Sequence, residues 1–174
     1  ERKLILDQQA TSLKRAQELA SDLLADFYQI QRMMPAIRSA MSFGDQGKSR
    51  PHQEGEEDSI AQLRDGYYVI IERLDKNREL IARVLSKQFS AMALFGVGAS
   101  EPFEKLNSLI SKLTTAVHML IMTAKELPST RSQEWQATIW AGYGEDTLQP
   151  ELDAIVASMD AICRPILSAK QPVP

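Results

Sequence analysis

The sequence has one cysteine, Cys163, and two histidines, His52 and His118. A single thiol cannot close an intramolecular disulfide, so there is no disulfide framework from which to read a compartment. So few soft ligands leave little to hold a transition metal. Di-iron bundles use Glu-x-x-His pairs, but the residues three before the histidines are Ser49 and Thr115. We expect neither metal nor cofactor.

Positive charge is also scarce. The chain has a net charge of −3, and the segment 44–59 alone accounts for it, with Asp45, Glu54, Glu56, Glu57 and Asp58 against Lys48 and Arg50. The remainder is formally neutral. No basic stripe is left to follow a phosphate backbone, which excludes nucleic acid as the main partner. The same balance excludes a polybasic membrane-surface patch. No run reaches the roughly 18 apolar residues needed to span a bilayer. Aromatic residues make up only 6% of the chain, and strand formers cluster only at Tyr67–Ile71. The chain starts at Glu1 rather than Met, so an anchor or targeting segment would lie upstream of residue 1. The compartment stays open between the cytoplasm and an anchored extracytoplasmic domain.

What the sequence does have is helical periodicity. Its 174 residues, 44% of them hydrophobic and 25% charged, suit one domain spanning 1–174 with a sizeable core. Over residues 2–43 one apolar seam runs Leu6, Leu13, Ala20, Phe27, Met34 and Met41. A second runs Ala16, Leu23, Ile30 and Ile37, with Gln9 as its polar exception. Seven-residue spacing predicts a long helix with coiled-coil-like packing. Pro35 lies inside it and predicts a kink, with the heptad continuing beyond. Residues 44–57 (GDQGKSRPHQEGEE) read as a mobile loop. Asp58 or Ser59 can cap the next helix, with Glu56 and Glu57 at its positive end.

A second helix is expected over 59–95. Its seams are Ile60, Tyr67, Leu74, Ile81 and Leu63, Ile70, Val84, Ala91, interrupted by Asn77. Gly96–Ser100 forms a tight connection and Pro102 opens a third helix over 102–127. The seams there are Phe103, Ile110, Val117, Ala124 and Leu106, Leu113, Leu120, Leu127. The stretch Ala116–Met122 is apolar nearly all round, which predicts burial on every side by its own fold or by another chain. After Pro128, Thr130 and Gln133 suggest a capping box for a short helix over 131–141. A last helix spans 149–169, with a frayed tail over 170–174. The fold class expected is therefore all-α, an elongated antiparallel four-helix bundle. Helix lengths of roughly 55–60 Å for the first two and about 39 Å for the third predict a tall N-terminal hairpin. The 44–57 loop would form its tip, with the short helix beside it.

Candidate chemistry is thin. Gly44-Asp-Gln-Gly47-Lys48-Ser49 has part of a phosphate-loop pattern, but Ser42 stands where the first glycine belongs and no strand precedes it. Gly96-Val-Gly98 reads as a helix–helix turn. Cys163 has no evident base or electropositive setting and reads as structural and partly buried. The acidic run Glu54–Asp58 reads as a solvated helix start. The seven methionines read mainly as core, with Met33 and Met122 candidates for exposure. Trp135, Trp140 and Tyr143 are different, since three of the six Trp and Tyr side chains fall within nine positions. Such aromatics either plug the end of a bundle or anchor an interface.

These observations favour a non-catalytic interaction or scaffold domain. It would bind a protein partner or self-associate, using Trp135, Trp140, Tyr143 and Met122. The alternative is a ligand-sensing extramembrane bundle of a protein anchored upstream. An enzyme would need convergent polar groups, and the seams offer only Gln9 and Asn77.

Overall fold

The computed structural model describes residues 2–170, and they are all-helical, with no strand among them. We number the α-helices in chain order: α1 Arg2–Ile37, α2 Asp58–Lys76, α3 Arg78–Ser86, α4 Gln88–Phe95, α5 Glu101–Met122, α6 Thr130–Ile139 and α7 Leu148–Ser168. A 3-10 turn, Val97–Ser100, joins α4 to α5. The tail expected over 170–174 lies, beyond Lys170, outside the described residues.

The seam residues of α1 from Ala20 to Ile37 are buried, as are Phe103, Leu106, Leu113, Val117 and Leu120 of α5 and Leu152, Ile155 and Met159 of α7. They belong to one contiguous core. Phe27 meets Phe103 edge to face, with ring centroids 5.5 Å apart and planes at 86°, a favourable aromatic geometry. Cys163 is completely buried beside Met159, and burial pushes its thiol pKa up to about 11. It is more deeply buried than the partial burial expected.

Helix directions follow from the cross-links. Gln17 Nε2 donates to the carbonyls of Ile166 and Ala169, Tyr28 to Asp160, and Gln31 to Asp153, so α7 runs antiparallel along α1. Asp26 of α1 accepts from Arg83 and Lys87. Burial raises the Asp26 pKa, but these two cations outweigh it and the net shift is downward.

Several expectations are corrected. α1 stops at Ile37, two residues after Pro35, instead of continuing to Phe43. Met41 and Phe43 are 64% and 68% exposed. Proline removes a backbone N–H and crowds the preceding turn. The carbonyls beyond it are taken over by Arg73, which donates to Ala36, Ile37, Ser39 and Met41. The second helix is not continuous but breaks at Asn77 and Lys87. Asn77 donates from its side chain to the carbonyl of Arg73, a local bond that competes with the helix ladder. A tall α1–α2 hairpin does not form, because α1 packs chiefly along α7 and α2 chiefly along α5.

The third helix ends at Met122, so Leu127 is 89% exposed. Ala116, Val117 and Leu120 are covered by this chain's own core, while His118 and Met122 face solvent. This chain's own fold therefore does not bury that stretch on every side. The capping box of α6 is formed by Ser129 and Ser132, not Thr130 and Gln133. At the start of α2 the N-cap is Glu57, without a side-chain cap bond.

Candidate functional site

Three of the helices, α1, α5 and α6, have their last carbonyls bonded by side chains from elsewhere in the chain. A helix C-terminus leaves carbonyls unpaired and carries partial negative charge. Here each is met by an arginine from another element. Arg73 of α2 takes the end of α1, as described above. Arg64, also of α2, donates through Nε to the Ile121 carbonyl of α5 at 2.9 Å. Arg38, just past α1, donates to the carbonyls of Ala137 and Thr138 in α6 at 3.0 and 2.9 Å.

Arg38 is completely buried. Its guanidinium also grips Asp146 with two bonds of 3.0 Å, and its own carbonyl accepts from Ala141 N–H. Asp146 in turn accepts from the Leu148 and Gln149 N–H groups that open α7. Burial works against the Asp146 charge, but Arg38 and these N–H donors bring its pKa down on balance. One side chain thus joins the ends of α1 and α6 to the start of α7, and it fixes the 142–147 turn.

The 44–57 loop is likewise tied down instead of forming a mobile tip. Glu56 sits between Arg50 and Arg64, and its side chain is only 3% exposed. The hydrogen bonds from Arg50 and Arg64 lower its pKa to about 2. Arg50 also donates to Asp65 at 2.7 Å. The acidic run is therefore not simply a solvated helix start, because its central carboxylate is a buried ion-pair member. The N–H groups of Gly47 and Ser49 donate to the Glu72 carboxylate. An internal carboxylate occupies the amides that a phosphate loop would offer. Gly47 needs to be glycine, since its φ is +87° and a Cβ there would lie 2.0 Å from the Asp65 carbonyl oxygen.

This framework holds an open groove of about 1040 Å³ between α5, α6 and the 142–147 turn. Trp135 and Tyr143 both line it. On the α5 wall stand Ser108, Ser111 and Thr115, and on the α6 wall Thr130, Glu134 and Thr138. Lys112 lies in the groove and pairs with Glu151 of α7 at 3.0 Å. Trp135 also lines a smaller neighbouring cleft of about 330 Å³ with Leu63 and Tyr67, and Arg131 stands 6.0 Å from its ring centroid. The Tyr67 hydroxyl has a raised pKa, from burial first and from Tyr143 second.

Of the four residues singled out in the sequence, the fold brings Trp135 and Tyr143 together. Trp140 is half-buried against the core and lines neither cleft. Its carbonyl lies 3.5 Å from Arg38 Nη2, so it belongs to the framework. Met122 is 71% exposed but also lines neither cleft. Met33, flagged for exposure, is half-buried against the core. Sequence reasoning missed Arg38 and Asp146, because nothing in a 108-residue separation announces a contact. It also missed Ser108, Ser111 and Thr115, although their spacing of three and four marks one polar helix face.

Among the described residues, no three His, Cys, Asp or Glu side chains converge as a metal cluster, and no helix is long and apolar enough to cross a membrane. No protein-family model, curated protein or solved structure matches this chain.

Proposed function

We propose that this chain is a non-catalytic helical interaction domain, a lopsided up-down-up-down bundle with heptad-spaced seams, whose docking face is the α5–α6 groove. One observation carries the reading. Trp135 and Tyr143 border one open groove, and the surrounding turn and helix ends are held by buried arginines. Rigidly mounted aromatics bury much area at low entropy cost, which is what interface anchors need. Catalysis is disfavoured because the strongest polar constellations, around Arg38, Arg64 and Arg73, are consumed in joining helix ends.

The test is selection of a displayed random-peptide library on the full chain. Enriched peptides should lose at least tenfold in affinity, about 1.4 kcal/mol, on the variant Trp135→Ser/Tyr143→Ser. Peptides that bind this variant unchanged, while its unfolding midpoint matches the parent's, would place the interface elsewhere.

The second reading is an extramembrane domain held by an anchor upstream of residue 1. Antiparallel pairing of α1 and α7, with Gln17 bonded near the end of α7, favours it by setting the start of α1 and the end of α7 toward one end. A hydrophobic span of about 20 residues in the encoded sequence upstream would establish it, and a hydrophilic upstream sequence would remove it.

A further inference from the structure

Resting on the docking reading above, we infer that the α5–α6 groove accepts a short, cationic amphipathic helix from a partner protein. Three features of the groove define that occupant. The first is length. Its α5 wall runs from Ser108 to Ala116 and its α6 wall from Thr130 to Thr138. Each is eight steps, or about 12 Å at 1.5 Å per residue. That matches roughly two turns of helix and is too short for a long coiled-coil partner.

The second is relief. Apart from Lys112, the α5 wall consists of small side chains, Ser108, Ser111, Thr115 and Ala116, and α6 contributes Ala137 beside Trp135. Small residues let a third helix approach closely, and the indole offers an apolar surface for one large side chain from it. The hydroxyls on the α5 wall remain able to bond to the occupant's polar flank or to water.

The third is charge. Glu134 stands on α6 and Glu145 on the 142–147 turn, and both line the groove and are exposed. Among the described residues neither forms an ion pair. The one cation in the groove, Lys112, is answered by Glu151. Arg131 lines the neighbouring cleft and not this one. The groove therefore carries two uncompensated carboxylates on different elements. The Arg38–Asp146 lock holds the turn that presents Glu145. Charges so placed favour a partner of opposite sign and speed its encounter.

Three labelled peptides about three turns long provide the test. They share one leucine–alanine face and carry lysine, glutamine or glutamate on the other. Binding to the full chain is followed by fluorescence anisotropy at low and high salt. The lysine peptide should bind at least about tenfold more tightly than the glutamine peptide at low salt, with the gap closing as salt screens it. The variant Glu134→Gln/Glu145→Gln should erase that advantage and leave the glutamine peptide's affinity unchanged. A lysine peptide that binds no better than the glutamine peptide, or a preference that survives in the variant, overturns the inference. If binding stays sensitive to Trp135→Ser in that case, the docking reading stands without it. If none of the three peptides binds in a Trp135-sensitive way, both readings fall. Sedimentation showing a dimer that Trp135→Ser dissolves would place a second copy in the groove and likewise overturn the cationic partner.

Discussion

Two regions of this molecule are built on different principles. Around the C-termini of α1, α5 and α6, Arg38, Arg64 and Arg73 each capture another element's carbonyls, and Arg50 with Glu56 pins the 44–57 loop. In the other region, the first turns of α1 and the α4 segment expose Leu4, Ile5, Phe89, Leu94 and Val97, up to 75% for Val97. Hydrogen bonds are directional and fix relative position to fractions of an ångström, whereas apolar contact is not directional. The groove lies against the directional region. A binding face needs its groups held in place before the partner arrives, since ordering them on contact costs affinity.

The largest expected effect comes from removing the central lock. Arg38→Met should destabilise the fold by about 3–5 kcal/mol, because it leaves Asp146 and several carbonyls without their donor. Thermal unfolding of the variant should fall by roughly 10 °C, against little change for Arg78→Met, whose side chain is 75% exposed. Equal midpoints for the two would mean that the Arg38 lock does not hold the fold.

Next is Gly47→Ala. Positive φ and a backbone oxygen in the way of the new Cβ should cost about 2–4 kcal/mol in chemical denaturation. Gly98→Ala, whose Cβ would meet open space, is the matched control in the other region.

A third prediction concerns acid. The folded pKa of Glu56 lies below its ordinary value, at about 2. Its contribution is therefore complete above about pH 5 and is lost as pH falls toward 2. Asp26, Glu72 and Asp146 are also lowered, so the informative quantity is a difference. Urea unfolding from pH 6 to pH 2.5 should fall less steeply for Glu56→Gln than for the parent. Parallel curves would mean that this carboxylate is not held in its charged form.

The smallest effect is expected in the apolar region, where Phe89→Ser and Val97→Asn should stay within about 0.5 kcal/mol of the parent. A loss above about 1.5 kcal/mol would show that this region is also held specifically.

Much of the fold was legible because burial follows period. From Ala20 to Ile37, and from Phe103 to Leu120, the seam residues read from spacing are nearly all inside. Errors gathered where polar groups decide. Met41 and Leu127 continue a heptad but stand exposed, because Arg73 and Arg64 take over the carbonyls at the ends of α1 and α5. Glu56 reads as part of a solvated acidic run, yet Arg50 in the loop and Arg64 on α2 enclose it. In the groove, Trp135 and Tyr143 stood out by rarity and clustering. Trp140 shared both signals but follows α6 as its C-cap in extended backbone, and its side chain packs against the core.

The sequence by itself determined that this chain would be helical and which stripe of each main helix would be apolar. These follow from residue type and local spacing, which act over a few residues. Only the tertiary structure decided where the helices stop, that the 44–57 loop is clamped, and that Trp135, Tyr143, Glu134 and Glu145 share one groove. Those outcomes depend on which donor meets which distant carbonyl. Such pairings, 108 residues apart for Arg38 and Asp146, leave no periodic trace in the chain.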